Sequence, residues 1–268
     1  MNAIDIIDSI NRPNAAPGDY TGADGLLYCG KCHTPKQTRG EGIAEGRLLS
    51  ISCACRRAEI DEEERKAQRR RADELRGLCL PERAMHGSTF ASAADAKHIR
   101  IARRYAAKWD ECRAKNIGLL FWGNTGTGKS FTAQCIANAL LDRQIPVKYY
   151  TAVQLVARLM EKENREPFLA SLRGTPLLII DDVGAERDTP FSREQLCAVI
   201  DERSEARRPL IVTTNYTLDE MRSCQDHAQQ RLFDRITALC VPVAVIGESR
   251  RREIGEGKLR EAKALLEL

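Results

Sequence analysis

The 268-residue chain is short of several things at once, and each shortage closes off a class of protein. Aromatic residues make up only 5% of it. No apolar run approaches the roughly 18 residues that a membrane-spanning helix needs, so no membrane partner is expected. Residues 1–10 alternate acidic and apolar side chains and lack the basic start and apolar centre of a secretory leader. The expected location is therefore cytoplasmic. Net charge is small as well: 42 Lys and Arg against 38 Asp and Glu leave a formal +4. Such a balance neither requires nor excludes a nucleic acid, and local clusters of charge matter more than the total.

Cysteine is what the chain has in plenty, with ten in all. A disulfide framework would need an oxidising compartment, and nothing in the sequence indicates export. Cys79, Cys112, Cys135, Cys197, Cys224 and Cys240 are scattered, mostly through apolar or helical stretches where a buried thiol is ordinary. The other four form two tight pairs, Cys29-Gly30-Lys31-Cys32 and Cys53-Ala54-Cys55, separated by 20 residues that include Pro35, Gly40, Gly42 and Gly46. The two ends of a β-hairpin can place four thiolates around one tetrahedral Zn²⁺. So small a segment has few apolar residues to bury, and a metal would supply much of its folding free energy. The second pair is closer than usual, and His33 stands as an alternative ligand. A redox C-x-x-C would instead need a strand before it in a larger βαβ context.

The stretch Gly123-Asn124-Thr125-Gly126-Thr127-Gly128-Lys129-Ser130 fills every fixed position of G-x-x-x-x-G-K-[ST]. An apolar run, 117–122, precedes it and a helix-like run, 131–141, follows, which reads as strand, phosphate loop, helix. In such a loop the backbone amides of residues 123–128 converge on phosphate oxygens. Lys129 reaches the β- and γ-phosphates, and the Ser130 hydroxyl can hold Mg²⁺.

Strands and helices alternate beyond the loop. Residues 147–150 read as a strand and 152–161 as a helix with Val153, Leu155, Val156, Leu159 and Met160 mostly inside. Leu177-Leu178-Ile179-Ile180 ends in Asp181-Asp182, as a parallel strand covered on both faces would. A helix over 191–207 leads to Leu210-Ile211-Val212, which ends in Thr213-Thr214-Asn215. Thr217 and Glu220 have capping-box spacing. A helix over 231–239 precedes a last strand over 241–246, which Pro242 restricts to a sheet edge. Upstream, residues 56–76 hold eight basic and seven acidic residues at helical spacings, either a solvated linker or a helix that packs on a partner through Ile60 and Leu75. Pro81 should break that helix, and residues 93–112 read as another, with Ile99, Ala102, Tyr105, Ala106 and Trp109 on its apolar face. Residues 1–27 should hold little beyond a short helix over 3–10, and the polar tail should end in a helix over 258–266.

This alternation predicts an α/β fold with a mostly parallel sheet flanked by helices. Ligand groups gather at the carboxyl ends of such strands, where the phosphate loop, Asp181-Asp182 and Asn215 all fall. Phosphoryl transfer needs charge neutralisation, a positioned water and a γ-phosphate sensor. Asp181 stands where a carboxylate holds Mg²⁺, Asp182 where one orients the attacking water, and Asn215 where an amide meets that water or the γ-phosphate. The plainer alternatives are a capping or solvated aspartate pair and a turn-forming asparagine.

These residues resemble the AAA+ ATPases, and within them the bacterial and phage DnaC/DnaI-type replicative helicase loaders, over roughly residues 80–252. The stretch 177–184 looks like the family's Walker B strand, and Thr213-Thr214-Asn215-Tyr216 looks like its sensor 1 segment. Arg231-Leu232-Phe233-Asp234-Arg235 is similar to the box VII helix, which implies that Arg235 reaches a neighbouring subunit's ATP, with Arg231 beside it. Gly247-Glu248-Ser249-Arg250-Arg251 resembles the sensor 2 end and points to Arg251. Some such loaders carry an N-terminal zinc module that contacts the helicase, which would make Cys29, Cys32, Cys53 and Cys55 the ligands. IstB-type transposition helper ATPases share the core, although full-length helpers typically lack that module.

The resemblance implies a domain plan of 1–55 as the zinc-binding module, 56–79 as a charged helical linker, 80–252 as the AAA+ domain and 253–268 as a tail. It implies ATP, Mg²⁺ and Zn²⁺ as cofactors. The implied partners are a hexameric replicative helicase, single-stranded DNA and further copies of the chain through the AAA+ domain. For DNA the candidates are 148–151 with Arg158, and Arg100, Arg103 and Arg104, which read equally as a solvated helix face. The expected function is ATP-dependent helicase loading, with a transposition helper ATPase as the alternative. A metabolite kinase and a non-hydrolytic nucleotide-gated adaptor stand further off.

Overall fold

The computed structural model describes residues 15–80, 82–186 and 189–266, apart from the side chains of 43, 162, 250–254 and 264. The helix expected over 3–10 and the break expected at Pro81 lie outside the described residues. The chain forms two compact units, the first ending at Arg70 and the second beginning at Arg71.

The first unit holds two small antiparallel hairpins. One pairs β1 (Tyr20–Thr21) with β2 (Leu27–Tyr28), and the other pairs β3 (Gln37–Arg39) with β4 (Leu48–Ser50). Residues 16–28 are thus more ordered than their composition suggests. Tyr20 stacks on Tyr28 with ring centroids 5.7 Å apart. Asp19 ties three segments together, accepting from Ala16 N (2.7 Å), Gly30 N (3.0 Å) and Lys36 Nζ (2.6 Å). These bonds draw its carboxyl down to about 2, the Ala16 amide contributing most. Helix α1 (Ala54–Cys79) begins in this unit and ends in the next, and it carries i,i+3 and i,i+4 charge pairs such as Glu62 with Arg65 and Lys66.

The second unit runs α2 (Arg83–His86), α3 (Lys97–Ala107), α4 (Trp109–Ala114), β5 (Gly118–Trp122), α5 (Lys129–Asp142), β6 (Val147–Thr151), α6 (Ala152–Met160), α7 (Arg165–Gly174), β7 (Leu177–Val183), α8 (Pro190–Glu205), β8 (Leu210–Thr214), α9 (Leu218–Arg222), α10 (His227–Leu239), β9 (Cys240–Ala244) and α11 (Arg250–Leu266). Its five strands pair in parallel in the order β6-β7-β8-β5-β9. Side-chain alternation sends Leu119, Phe121, Tyr149, Ile179 and Ile211 to one face, against α3 and α5. Leu120, Leu178, Ile180, Leu210 and Val212 go to the other, against α6, α7, α8 and α10. Burial on both faces is why these strands read as unbroken apolar runs. Pro242 stands on edge strand β9, where an absent N–H costs no pairing on the open side.

Several expected elements differ in detail. The helix expected over 93–112 is two, α3 and α4, because the chain turns at Lys108 and buries Trp109 completely. Val153 and Met160 on α6 are 51% and 62% exposed, so only Leu155, Val156 and Leu159 of the expected apolar set face the core. Helix α7 occupies a stretch whose apolar pattern is too weak to announce it, with Leu172 alone fully buried among its residues. The last helix starts at Arg250 rather than 258, running through Gly255 and Gly257. The end of α1 belongs to the second unit: Leu75 and Cys79 pack on its core, and Arg76 Nε donates to Asn138 Oδ1 at 2.8 Å.

Candidate functional site

Strand β5 delivers the chain to the phosphate loop at the carboxyl edge of the sheet, between β8 and β9. The loop needs left-handed backbone, with φ of 84° at Gly126 and 102° at Gly128, the residue that caps α5. At Gly126 a Cβ would stand 2.1 Å from Ser249 Oγ, so a side chain there would force that hydroxyl to move as well as strain the backbone. Thr127 Oγ1 donates to Asn124 O at 2.9 Å, and Lys129 Nζ donates to Gly123 O and Asn124 O, both at 2.7 Å. The ammonium, on a side chain only 6% exposed, thus lies within the curl of the loop. Asn124 and Thr125 are exposed, and Ser130 is half-buried on the first turn of α5. The N–H groups of a helix start suit an anion.

Strands β7 and β8 bring the acidic and amide groups together. Asp181, 6% exposed, keeps the face of Ile179, the face on which α5 packs. Its Oδ2 accepts from Tyr149 OH at 2.6 Å and its Oδ1 from Thr213 Oγ1 at 2.5 Å. Between Ile180 and Val183 the ladder to β8 slips, and Asp182 takes the left-handed φ of 59° there. The irregularity turns Asp182 toward Asn215, whose Nδ2 donates to Asp182 Oδ1 at 2.9 Å. Sequence alone places these three residues at strand ends. It does not predict the bulge that lets consecutive aspartates do different things.

Arg231 and Arg235 lie on α10, anchored by Leu232 and Phe233, which are 2% and 3% exposed. Arg231 is exposed, whereas Arg235 is half-buried and donates through Nε to Asp201 Oδ1 on α8 at 2.5 Å. Both arginines line a cavity of about 270 Å³ between α8 and α10, with Arg193 and Cys197. Arg251 falls in the first turn of α11, and its side chain lies outside the described residues. Among the DNA candidates, Tyr149 is buried on Asp181, Lys148 Nζ donates to Ser171 Oγ at 2.9 Å, and Thr151 caps α6. That segment is committed to the protein itself. Arg100 pairs with Asp95, Arg103 donates to Phe90 O, Arg158 pairs with Glu161, and Arg104 is exposed.

In the first unit Cys29, Cys32, Cys53 and Cys55 bring their sulfurs within 4.8 Å of one another, and none forms a disulfide. Cys29 and Cys55 sulfurs are 3.6 Å apart and those of Cys53 and Cys55 are 3.3 Å apart. A tetrahedral Zn–S shell needs about 3.8 Å between sulfurs, so the set fits zinc. The Thr34 hydroxyl, helped by backbone N–H groups, draws Cys32 down to about 5, while the neighbouring sulfurs, Cys53 first, push Cys55 up to about 12. Four sulfurs this close cannot all ionise without a cation among them. His33 is not in the cluster: it takes a left-handed φ of 54° and tilts against the Tyr20 ring.

The contacts of Tyr149, Thr213 and Gln134 around Asp181, and of Asp201 with Arg235, escaped the sequence reading. A tyrosine or threonine in a strand is first of all a β-former, and the only signal available was parity: Thr213 shares a face with Ile211 and, across the ladder, with Asp181.

A phosphate loop, a strand-end aspartate pair and a strand-end asparagine on one parallel sheet edge define a P-loop nucleotide-binding protein with an AAA+-like fold. Residues 57–256 match the family model described as IstB-like ATP binding protein, and the chain belongs to that family. It is similar to the replicative helicase loader DnaI of Bacillus subtilis (strain 168), 29% identical over 150 residues, 51% of this chain and 48% of the relative. It is also similar to the replicative helicase loader DnaC of Escherichia coli (strain K12), 27% identical over 140 residues, 50% of this chain and 55% of the relative. The chain thus spans about half the length of these curated relatives. The crystal structure of DnaI superposes with a TM-score of 0.54 at 23% identity, covering 63% of this chain and 93% of that one. That of the DnaC helicase loader gives 0.54 at 20% identity, covering 62% and 100%, and both likenesses speak for the fold. Among the described residues no helix is long and apolar enough to cross a membrane.

Proposed function

We propose that this chain is an ATPase that loads a hexameric replicative DNA helicase onto single-stranded DNA, with its four-cysteine unit as a zinc-held contact for the helicase. The observation that carries the reading is the alignment with two proteins named as replicative helicase loaders over about half of this chain. In this reading the loop amides and Lys129 bind the β- and γ-phosphates. Ser130 and Asp181 would hold Mg²⁺, which neutralises phosphate charge. Asp182, with Asn215 donating to it, orients the attacking water, and Arg251 is the sensor 2 arginine of this reading. Arg235 acts on the ATP of a neighbouring copy, leaving Asp201 to do so, which makes turnover depend on assembly.

Co-purification with the replicative helicase of the same cell, with and without ATP, tests the proposal. Capture of a transposase instead would favour the second reading, a transposition helper, which the IstB-like family description supports. For the nucleotide site, Lys129→Ala should weaken ATP binding, whereas Asp182→Ala should spare binding and lose turnover. Equal loss of binding in both would remove the role given to Asp182. For Arg235, mixtures of Arg235→Ala and Lys129→Ala proteins should recover some of the activity that each lacks alone. Co-assembled mixtures without recovery would leave Arg235 a same-chain residue.

A further inference from the structure

Asp181 is gripped from both neighbouring strands. Tyr149 OH on β6 and Thr213 Oγ1 on β8 each donate to a different carboxylate oxygen, at 2.6 and 2.5 Å, and the two donors are 2% and 1% exposed. The grip continues in two directions. Tyr149 OH accepts from Gln134 Nε2 at 3.3 Å, and Gln134 Oε1 accepts from Ser88 Oγ at 2.8 Å. Gln134 follows Ser130 by four residues on α5, so both project from the same side of that helix. On the other side, Thr213 Oγ1 accepts from Asp182 N at 2.8 Å. One polar chain, buried at Asp181 and partly buried at either end, therefore joins the helix of the phosphate loop, the first aspartate and the backbone of the second.

We propose that Tyr149 and Thr213 are positioning residues of the nucleotide site, which fix the Asp181 carboxylate in one orientation toward the Mg²⁺ that accompanies ATP. A carboxylate oxygen has two lone-pair directions. With one on each oxygen engaged by a hydroxyl, the others are fixed in space, and the carboxylate is held in one orientation. A phenol present only to fill the space between sheet and α5 would do as well without its oxygen. The proposal rests on the ATPase reading.

The test is binding of a fluorescent ATP analogue to the full chain, titrated with Mg²⁺ and repeated in EDTA. Loss of a hydrogen-bonding partner behind a metal ligand typically costs about 10–100-fold in metal affinity. Tyr149→Phe should keep the wild-type affinity in EDTA and raise the Mg²⁺ concentration for half-maximal enhancement of binding about tenfold. Thr213→Val should do the same, and the double variant should fall short of the product of the two, because both act on one carboxylate. Tyr149→Phe protein with an unchanged Mg²⁺ midpoint overturns the proposal, and so does a variant whose affinity falls equally with and without Mg²⁺. If Tyr149→Phe does not fold, Thr213→Val decides by the same criteria. Wild-type and Lys129→Ala proteins that bind the analogue equally would instead sink the ATP-site reading, a distinguishable result.

Discussion

In the unit that ends at Arg70, the buried side chains of apolar class among the described residues are those of Cys29 and Cys53. In the unit that begins at Arg71, Trp109, Phe121, Leu120, Ile136, Leu140 and Leu155 are each 0% exposed, and apolar layers cover both faces of the sheet. The first unit is held by sulfur, by the Asp19 carboxylate and by two short hairpins; the second is held by burial. The difference follows from size, since a segment of a few dozen residues cannot bury enough apolar surface to offset its chain entropy. Chemistry is distributed accordingly. In the first unit the candidate metal site and the core are the same atoms, whereas in the second the candidate site lies at the rim of a core built without it.

Metal removal should separate the two units most sharply. Structural zinc contributes about 10–16 kcal/mol of apparent binding free energy to a small site of this kind. Chelation, or the double substitution Cys53→Ala and Cys55→Ala, should therefore unfold the first unit, read as loss of amide-exchange protection in β1 to β4, with metal content falling from about one Zn²⁺ per chain. Both tryptophans, Trp109 and Trp122, lie in the second unit, so their fluorescence transition should not move. A second unit that melts along with the first would erase the contrast.

A smaller effect is expected where the second unit departs from its own rule. Arg203 is 0% exposed amid the apolar layer and donates to the carbonyls of Leu172, Thr175, Pro176 and Pro209 at 2.6–3.1 Å. Burial lowers its pKa, so its charge is kept at a cost, yet it satisfies the end of α7 and the turns before β7 and β8 at one stroke. Arg203→Met keeps the bulk and strands the carbonyls. With roughly 1–3 kcal/mol for each buried acceptor left bare, the loss should be about 3 kcal/mol or more by tryptophan-monitored urea unfolding. Zinc content should stay as in the wild type.

The same contrast explains what was legible in the sequence. Strands β5, β7 and β8 announced themselves because burial on two faces leaves an apolar run, and the phosphate loop because few residues other than glycine tolerate its backbone. The cysteine set was legible because ligand chemistry restricts residue type. Four features were not: the turn at Lys108, helix α7, the Asp182 bulge and the Tyr149–Asp181–Thr213 grip. Each depends on tertiary partners. The bulge arises where β7 meets β8, and Tyr149 becomes a donor only because the strand pairing sets it opposite Ile179, two residues before Asp181 on the same face. The resemblance implies that Arg235 reaches a neighbouring subunit, and its tie to Asp201 depends on how α8 packs against α10. In the tail, Gly255 and Gly257 lower intrinsic helix propensity, yet the helix runs through both from Arg250.

The smallest effect belongs to α9, a five-residue helix that follows Asn215 and is built from polar caps in the manner of the first unit. Thr217 Oγ1 accepts from Glu220 N at 3.2 Å, and Glu220 Oε2 accepts from Thr217 N at 2.7 Å. So short a helix is marginal on propensity alone, and Met221 is its one buried residue. Thr217→Ala should cost about 1 kcal/mol at neutral pH. Glu220 supplies a pH signature. The Thr217 amide, and then its hydroxyl, hold the carboxyl below its ordinary 4.5. A folded-state pKa below the unfolded one gives stability that is present above 4.5 and is lost as pH falls through the folded value. Glu220→Gln keeps an acceptor for the Thr217 amide but has no proton to gain. Wild type should therefore be the more stable protein at neutral pH, and its advantage over Glu220→Gln should shrink as pH drops below 4.5, followed by the same tryptophan transition. An advantage that stays constant across that window would mean that geometry alone, and not the charge of Glu220, holds the helix after Asn215.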